Sequence, residues 1–414
     1  MTPSLPLDII CLIIEYLEDD LTALRHCALT SSALLPPSRT RLYQHIAFAC
    51  PDPATHKVQL FCRTILEHSE LGAFTRSLTI AELRSSARTN VVVTRNLLPF
   101  HLLVNLRVLT LFWAPLQAHE LLKIVSWLPQ LKQLVCDFCL DVLPEDSVPD
   151  WIGPLGQAEP ATFPRFRELV IRQGSWDHES FAQRLMRDQP QSIERLLAID
   201  LDLPGFEISA TLPWLVVVRG ASAHLKSIGI SVMDLTHILE HGVLIGFPEP
   251  YRVQYQWIMD SVATCSALRS MRLRYEPSLL PSNTSSSSFL ESACEVLERH
   301  PPPFPLFESL ELCMVDREGR LVSVTKELCA RLAGCLLDKR RFPSFSKLVL
   351  HVQQQFWAHH SGMWSSWKRR ERSGDEEEAL LSRWRAMFDV FEQAPGVVLH
   401  VDVLPPPPGP QFKW

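Results

Sequence analysis

Leu106-Arg107-Val108-Leu109-Thr110-Leu111 places a leucine, two variable residues, an aliphatic, one variable residue and another aliphatic in order. In an extended strand, alternate side chains point to opposite faces, so Leu109 and Leu111 share one face and Thr110 takes the other. The pattern recurs at Leu131-x-x-Leu134-x-Cys136, Phe166-x-x-Leu169-x-Ile171, Leu196-x-x-Ile199-x-Leu201 and Leu225-x-x-Ile228-x-Ile230. Further copies are Leu268-x-x-Met271-x-Leu273, Phe307-x-x-Leu310-x-Leu312 and Phe345-x-x-Leu348-x-Leu350, with weaker ones at Leu78-x-Ile80 and Val397-x-Leu399.

The central aliphatics of these copies are 25, 35, 30, 29, 43, 39 and 38 residues apart. That is at or above the ~20–29 of a regular leucine-rich repeat. The excess is assigned to insertions, among them the polar tract 282–288 and the Pro-rich stretch 144–164. Helical patterns over 119–128, 181–187, 289–299 and 326–337 lie between the strands. One such match arises easily in a leucine-rich chain. Eight matches do not, when most follow a helix pattern and several follow a nearby Pro. The expected fold class is α/β: parallel strands stacked into a curved leucine-rich-repeat solenoid, strands on the concave face and helices outside. The Asn that usually bonds backbone groups in such repeats is missing, so the repeats are expected to be irregular.

The chain has 414 residues, of which 46% are hydrophobic, and a formal net charge of −6. It can bury a substantial core. The acidic balance argues against a general nucleic-acid binder, which needs a surplus of Lys and Arg to displace counterions. No run of ~18 uncharged apolar residues indicates a membrane span. No signal peptide is expected, because Asp8, Glu15, Glu18, Asp19 and Asp20 break the first apolar run and no basic segment precedes it. The eleven cysteines include Cys11, Cys27, Cys136 and Cys313 inside apolar runs, where they read as small buried hydrophobes in a reducing compartment. The expected location is the cytosol, the nucleus or both.

In residues 1–45, Pro6 suits the first turn of a helix and Asp8 its positive end. Ile9, Ile10, Ile13, Ile14, Tyr16 and Leu17 fall on one broad face, with Leu12 at its margin. Asp19 or Asp20 can cap a second helix carrying Leu21, Leu24 and Ala28. Pro36-Pro37 is expected to end it, and Ser38 to open a third with Leu42 and Tyr43. So small a unit cannot bury this apolar surface within itself. The surplus packs on the rest of the chain or is covered by another protein.

The pattern Leu5-Pro6-x-Asp8-Ile9…Ile13-Ile14-x-x-Leu17…Leu21-x-x-Leu24 resembles the F-box. Its continuation Cys27-x-Leu29…Leu35-Pro36-Pro37-Ser38-Arg39…Leu42-Tyr43 looks like the variant common in mushroom-forming fungi. The chain departs from that variant at Leu34, where Trp is frequent, and at Thr30 and Ser31, where an apolar residue and Cys are common. The resemblance implies docking on the Skp-type adaptor of an SCF cullin–RING ubiquitin ligase through Leu5, Pro6, Ile9, Ile13, Leu17, Leu21 and Leu24. The organisation it implies is an F-box over 1–48, a helical linker or cap over 49–73, the irregular repeats over 74–404 and a Pro-rich tail over 405–414.

Motifs for catalysis are missing: there is no phosphate-binding Gly loop, no G-x-G-x-x-G, no H-E-x-x-H and no G-x-S-x-G. Gly220-Ala-Ser222-Ala-His224 comes nearest to a nucleophile elbow, but His stands where the second Gly is needed. Cys136-x-x-Cys139 has no second pair at zinc spacing, and Cys136 occupies a repeat core position. His359-His360 among Trp357, Trp364 and Trp367 reads as a loop tucking its aromatics onto the repeats. Lys368-Arg369-Arg370-Glu371-Arg372 is short for a nuclear signal. Ser373 and Glu376 form a capping box for a helix bearing Leu380, Leu381, Trp384, Phe388 and Phe391. Asn283-Thr284-Ser285 matches a glycosylation sequon but has no secretory context. Neither an enzyme nor a cofactor is expected.

The strand face opposite the aliphatics should then carry Phe112, Asp137, Arg172, Asp202, Ser231, Arg274, Cys313 and His351, with Arg272 and Glu311 beside them. Its mixed charge fits a protein or peptide rather than nucleic acid. The candidate target-binding residues are Arg172, Asp202, Arg272, Arg274, Glu311 and His351. Two functions follow. One is a substrate receptor of a ubiquitin ligase whose repeats hold a target protein. The other is an interaction scaffold whose first helices only cap the repeats.

Overall fold

The structure is a computed structural model. It describes residues 6–17, 20–48, 53–81, 99–112, 118–137, 163–172, 178–204, 208–233, 250–276, 285–299, 301–317, 325–355 and 374–404. Leu5, Cys139, Asn283, the aromatic cluster at 357–367, the basic run 368–372, Ser373 and the tail 405–414 lie outside them. The chain divides into two compact units, Met1–Ile193 and Glu194–Trp414. The division falls inside the stretch 74–404 expected to be one repeat domain.

The first unit opens with three helices, α1 (Leu7–Tyr16), α2 (Leu21–Thr30) and α3 (Leu35–Leu42). Asp20 caps α2, its Oδ1 accepting from Thr22 N at 3.0 Å and Ala23 N at 2.9 Å. Contrary to expectation, Pro36 and Pro37 do not end α2. They sit in the first turn of α3, where a missing N–H breaks no helical bond. Ser38 is therefore inside α3 and fully buried. A short strand, β1 (His45–Phe48), follows within the range expected to be helical. Next come α4 (Pro53–Glu67) and α5 (Ser69–Gly72), where a helical linker was expected, and then β2 (Ser77–Ala81), β3 (Val108–Phe112), α6 (Ala118–Ser126), β4 (Gln133–Asp137), β5 (Glu168–Arg172) and α7 (His178–Asp188). Strands β1 to β5 pair in parallel in chain order.

The second unit runs β6 (Ala198–Pro204), α8 (Ile208–Ala221), β7 (Ser227–Met233), α9 (Pro250–Val262), β8 (Ser270–Glu276), α10 (Ser285–Leu297), β9 (Ser309–Arg317), α11 (Lys326–Leu336), β10 (Lys347–Gln355), α12 (Gly374–Met387), α13 (Asp389–Glu392) and β11 (Val398–Leu404). Its strands also pair in parallel, in chain order. Helix α8 packs on α9, α9 on α10 and α10 on α11. The unit is thus a strand–helix repeat with a parallel ladder.

The repeat aliphatics form the core. Leu109, Leu169, Ile228, Leu310 and Leu348 are each buried on a parallel strand. Register aligns Leu78 with Leu109, Leu109 with Leu134, and Leu310 with Leu348. The last copy is displaced from its expected frame: Leu348 and Leu350 pair with Leu399 and Val401, not with Val397 and Leu399. Gly396, at φ +75°, makes the turn into β11, a conformation that disfavours any Cβ. Helix α10 begins at Ser285, within the polar tract assigned to an insertion and four residues before the helical pattern expected from 289. The single helix expected across 380–391 is broken between Met387 and Asp389. One backbone-bonding Asn does occur: Asn105 Nδ2 donates to Ala73 O at 2.7 Å, tying the turn before β3 to the turn before β2.

Sequence reading passed over an aromatic spine in the second unit. Phe307 and Phe345, the first residues of adjacent repeats, stack with centroids 6.1 Å apart and planes 14° apart. Phe304 and Phe342 extend the spine beside Phe307, and Phe391 meets Phe345 at 6.4 Å. All five are buried. The turns between are tied down as well: Arg341 donates to the carbonyls of Leu297 (2.6 Å) and Arg299 (2.7 Å) at the end of α10, where helical carbonyls lack partners.

Candidate protein-interaction surfaces

At 100° per residue, Ile9, Leu12, Ile13 and Tyr16 fall within an arc of about 100° on α1, and Ile10, Ile14 and Leu17 on the adjoining arc. The second arc packs inward, and Ile14 is buried. The first is open: Ile9 is 42% exposed, Leu12 50%, Ile13 45% and Tyr16 90%. Leu21 and Leu29 of α2 are exposed too. The apolar sector of α1 is wider than its neighbours cover. Glu15 and Arg41 fix α1 against α3, with Arg41 Nη2 donating to Glu15 Oε1 at 2.7 Å.

Of the residues expected to dock an adaptor, Pro6, Ile9, Ile13 and Leu21 are exposed and Leu17 is half-buried. Leu24 is a correction. It is fully buried, so it belongs to the core of the helices and presents nothing to a partner. Leu12 and Tyr16 of α1 and Leu29 of α2 are exposed apolar residues outside the expected docking set; the helical wheel puts Tyr16 on the apolar face and Leu12 at its margin, and Leu29 is in neither reading.

A charged chain crosses the open strand face of the second unit. Arg272 on β8 and Glu311 on β9 are register partners, and Arg272 Nε donates to Glu311 Oε1 at 2.6 Å. Asp200 on β6 reaches Arg272 from the other side, Oδ2 to Nη1 at 3.7 Å, although β7 lies between. Gly229 makes that reach possible. It stands between them in register, and a Cβ there would lie 2.3 Å from Asp200 Oδ1. Glu311 also meets His351, Oε1 to Nε2 at 3.0 Å. His351 pairs in register with Asp402, Nδ1 to Oδ2 at 3.8 Å, too long for a hydrogen bond. His400 Nε2 lies 2.7 Å from the same Asp402 oxygen.

Three of the expected target-binding residues, Arg272, Glu311 and His351, therefore meet. Arg274 lies on the same face, two residues beyond Arg272 and in register with Cys313. Asp202 pairs with Ser231 in the backbone, and Arg172 lies in the first unit, paired with Asp137; the side chains of Asp137, Arg172 and Asp202 lie outside the described residues. Cys313 is on this face, and it is buried, as its place in an apolar run implies. Asp200, His400 and Asp402 were missed. Writing out the residue between the two aliphatics on every strand would have shown Asp200, and His400 directly follows the second aliphatic of the weak copy Val397-x-Leu399.

Arg272 is committed to two carboxylates, which changes how its substitution reads. Arg272→Glu sets a third carboxylate beside Glu311 and Asp200. The expected result is a loss of about 1 kcal/mol in the stability of the second unit at low ionic strength, shrinking as salt is added, because the pair is partly exposed and screened. Urea denaturation at two salt concentrations measures it. An equal loss at both concentrations would show that packing, not charge, is what Arg272 supplies.

Burial pushes the Cys62, Cys294, Cys313 and Cys329 thiols up to about 12, and Cys265 to about 11, so each stays protonated at neutral pH. Cys11 and Cys27 are half-buried instead of enclosed. Residues 220–224 finish α8 and turn into β7, so Ser222 is on no strand-to-helix elbow. Among the described residues, no group of three or more His, Cys, Asp and Glu is placed to hold a metal ion, and no helix is long and apolar enough to cross a membrane. A scan against protein-family models finds no match to the chain, and a search of curated proteins finds none either.

Proposed function

We propose that the chain is a non-catalytic substrate receptor of an SCF-type ubiquitin ligase, docking on a Skp adaptor through α1 and α2 and holding a target protein on its repeats. The observation that supports this reading is the open apolar arc of Ile9, Leu12, Ile13 and Tyr16, on the helix whose sequence resembles the F-box. A dry partner surface would remove that arc from water, at ~25 cal/mol per Å² of apolar area. The charged strand face of the second unit supplies a mixed-polarity surface for a target. The protein's contribution is proximity: holding a target near activated ubiquitin raises its effective concentration.

A second reading has its own support. Helix α3 leads within two residues to β1, whose pairing with β2 starts at His45 and Ser77. The helices thus adjoin the first strand of a repeat array, where an uncovered end would expose core. On this reading the protein is an interaction scaffold and α1–α3 form a cap. Affinity purification of the intact chain from its native cytosol and nuclei separates the two. The receptor reading expects a Skp adaptor and a cullin at near-stoichiometric amounts. Stable partners without either would sink it in favour of the scaffold.

A further inference from the structure

The residue just before each of four successive strands in the first unit is basic: Arg76 before β2, Arg107 before β3, Lys132 before β4 and Arg167 before β5. Their backbones are bonded one to the next. Arg107 N donates to Arg76 O, Lys132 N to Arg107 O and Arg167 N to Lys132 O, each at 2.8 Å. Adjacent strands lie about 4.8 Å apart, so the four residues form a column about 14 Å long at the edge where the strands begin. Arg76, Arg107 and Arg167 are exposed and Lys132 is half-buried; Arg165, also exposed, adds a fifth charge beside Arg167. None of the five has an acidic partner among the described residues.

The second unit shows how far side chains at this position reach. There Arg269 precedes β8 and Glu308 precedes β9, and Arg269 Nη1 bonds Glu308 Oε1 at 2.8 Å. The same reach in the first unit brings like charges together, an arrangement that opposes folding. The chain is acidic overall, so the column does not follow from a basic composition. We propose that this edge of the first unit binds an acidic segment of a partner protein, a run of Asp and Glu laid along the column. Guanidinium groups suit carboxylates, which they bind with paired N–H donors. An extended chain presents side chains on one face about 6.6 Å apart, so a short acidic run spans the column. A nucleic acid is the poorer fit: so short a column neutralises few phosphates, and the protein's net charge repels the rest. The inference stands whether or not α1 docks on an adaptor.

The test uses the full chain and a fluorescein-labelled oligo-glutamate peptide, followed by fluorescence anisotropy at low ionic strength. Binding is expected to weaken about tenfold in Arg107→Gln/Lys132→Gln, to hold in Lys226→Gln of the second unit, and to fall as salt rises. Neutralising exposed like charges should leave the thermal midpoint unchanged or raise it. If the double variant loses its cooperative melt, Arg76→Gln and Arg167→Gln singly carry the same comparison. The proposal is overturned if the unaltered chain fails to bind the peptide, if the column variants bind it as well as the unaltered chain does, or if Lys226→Gln loses as much. Tighter binding of an oligothymidylate of equal charge would overturn the choice of a protein partner.

Discussion

Phe345→Ala is expected to lower the stability of the second unit by about 3–5 kcal/mol. The ring is buried, stacked on Phe307 and edged by Phe391, so removing it leaves a cavity bounded by groups that are themselves fixed. Its neighbours lie on consecutive repeats, and parallel pairing of β9, β10 and β11 limits how far they can close in. Whole domains are stable by about 5–15 kcal/mol, so a loss of this size removes much of the margin. Urea denaturation followed by tryptophan fluorescence measures it, with Val398→Ala as the control. Val398 is exposed and its truncation should stay within about 0.5 kcal/mol. A loss below about 1 kcal/mol for Phe345→Ala would mean that the aromatic spine is not a core element.

The repeat strands were legible because their signal is local. Leu109 and Leu111, or Leu348 and Leu350, declare a buried face through a period of two, and no distant residue is needed to see it. Helix α11 was legible for a related reason: Leu328, Leu332 and Leu336 keep a helical period, and Thr325 caps it by accepting from Leu328 N at 3.2 Å. Boundaries failed where one residue type serves two roles. Pro36-Pro37 ends one helix or begins another with equal chemical sense, and serines near 285 can lie in a loop or in a first turn. Val397 and Leu399 have the spacing of a core pair, but register with β10 alone shows that the pair is Leu399 and Val401.

The charged chain of the second unit was half legible for a different reason. Arg272, Glu311 and His351 could be named from alternation, yet their meeting depends on register across insertions of unequal length. Asp200 joins them only because Gly229 has no Cβ. Neither fact is written in any one repeat. Leu24 illustrates the opposite failure. It fits the docking pattern by spacing, but the same spacing also serves packing between short helices, and its burial decides between the two.

Ile9→Asp combined with Ile13→Asp is expected to weaken Skp-adaptor binding about 100-fold or more while leaving the repeats folded. In the free chain both side chains are already close to half exposed, so the new carboxylates stay in water and cost about 0.5–1 kcal/mol of stability at most. In a dry interface the same carboxylates would have to shed their water without a partner, at several kcal/mol each. The two effects differ enough to be measured on one preparation. Isothermal titration with the recombinant adaptor reports binding, and circular dichroism with a thermal melt reports the fold. Unchanged adaptor binding in the double variant would remove the α1 face from the docking surface. Cooperative loss of the whole melt would instead make α1 a structural cap, the scaffold reading. Leu24→Asp calibrates that second outcome: Leu24 is fully buried, and a charge there should unfold α1–α3 whichever role they play.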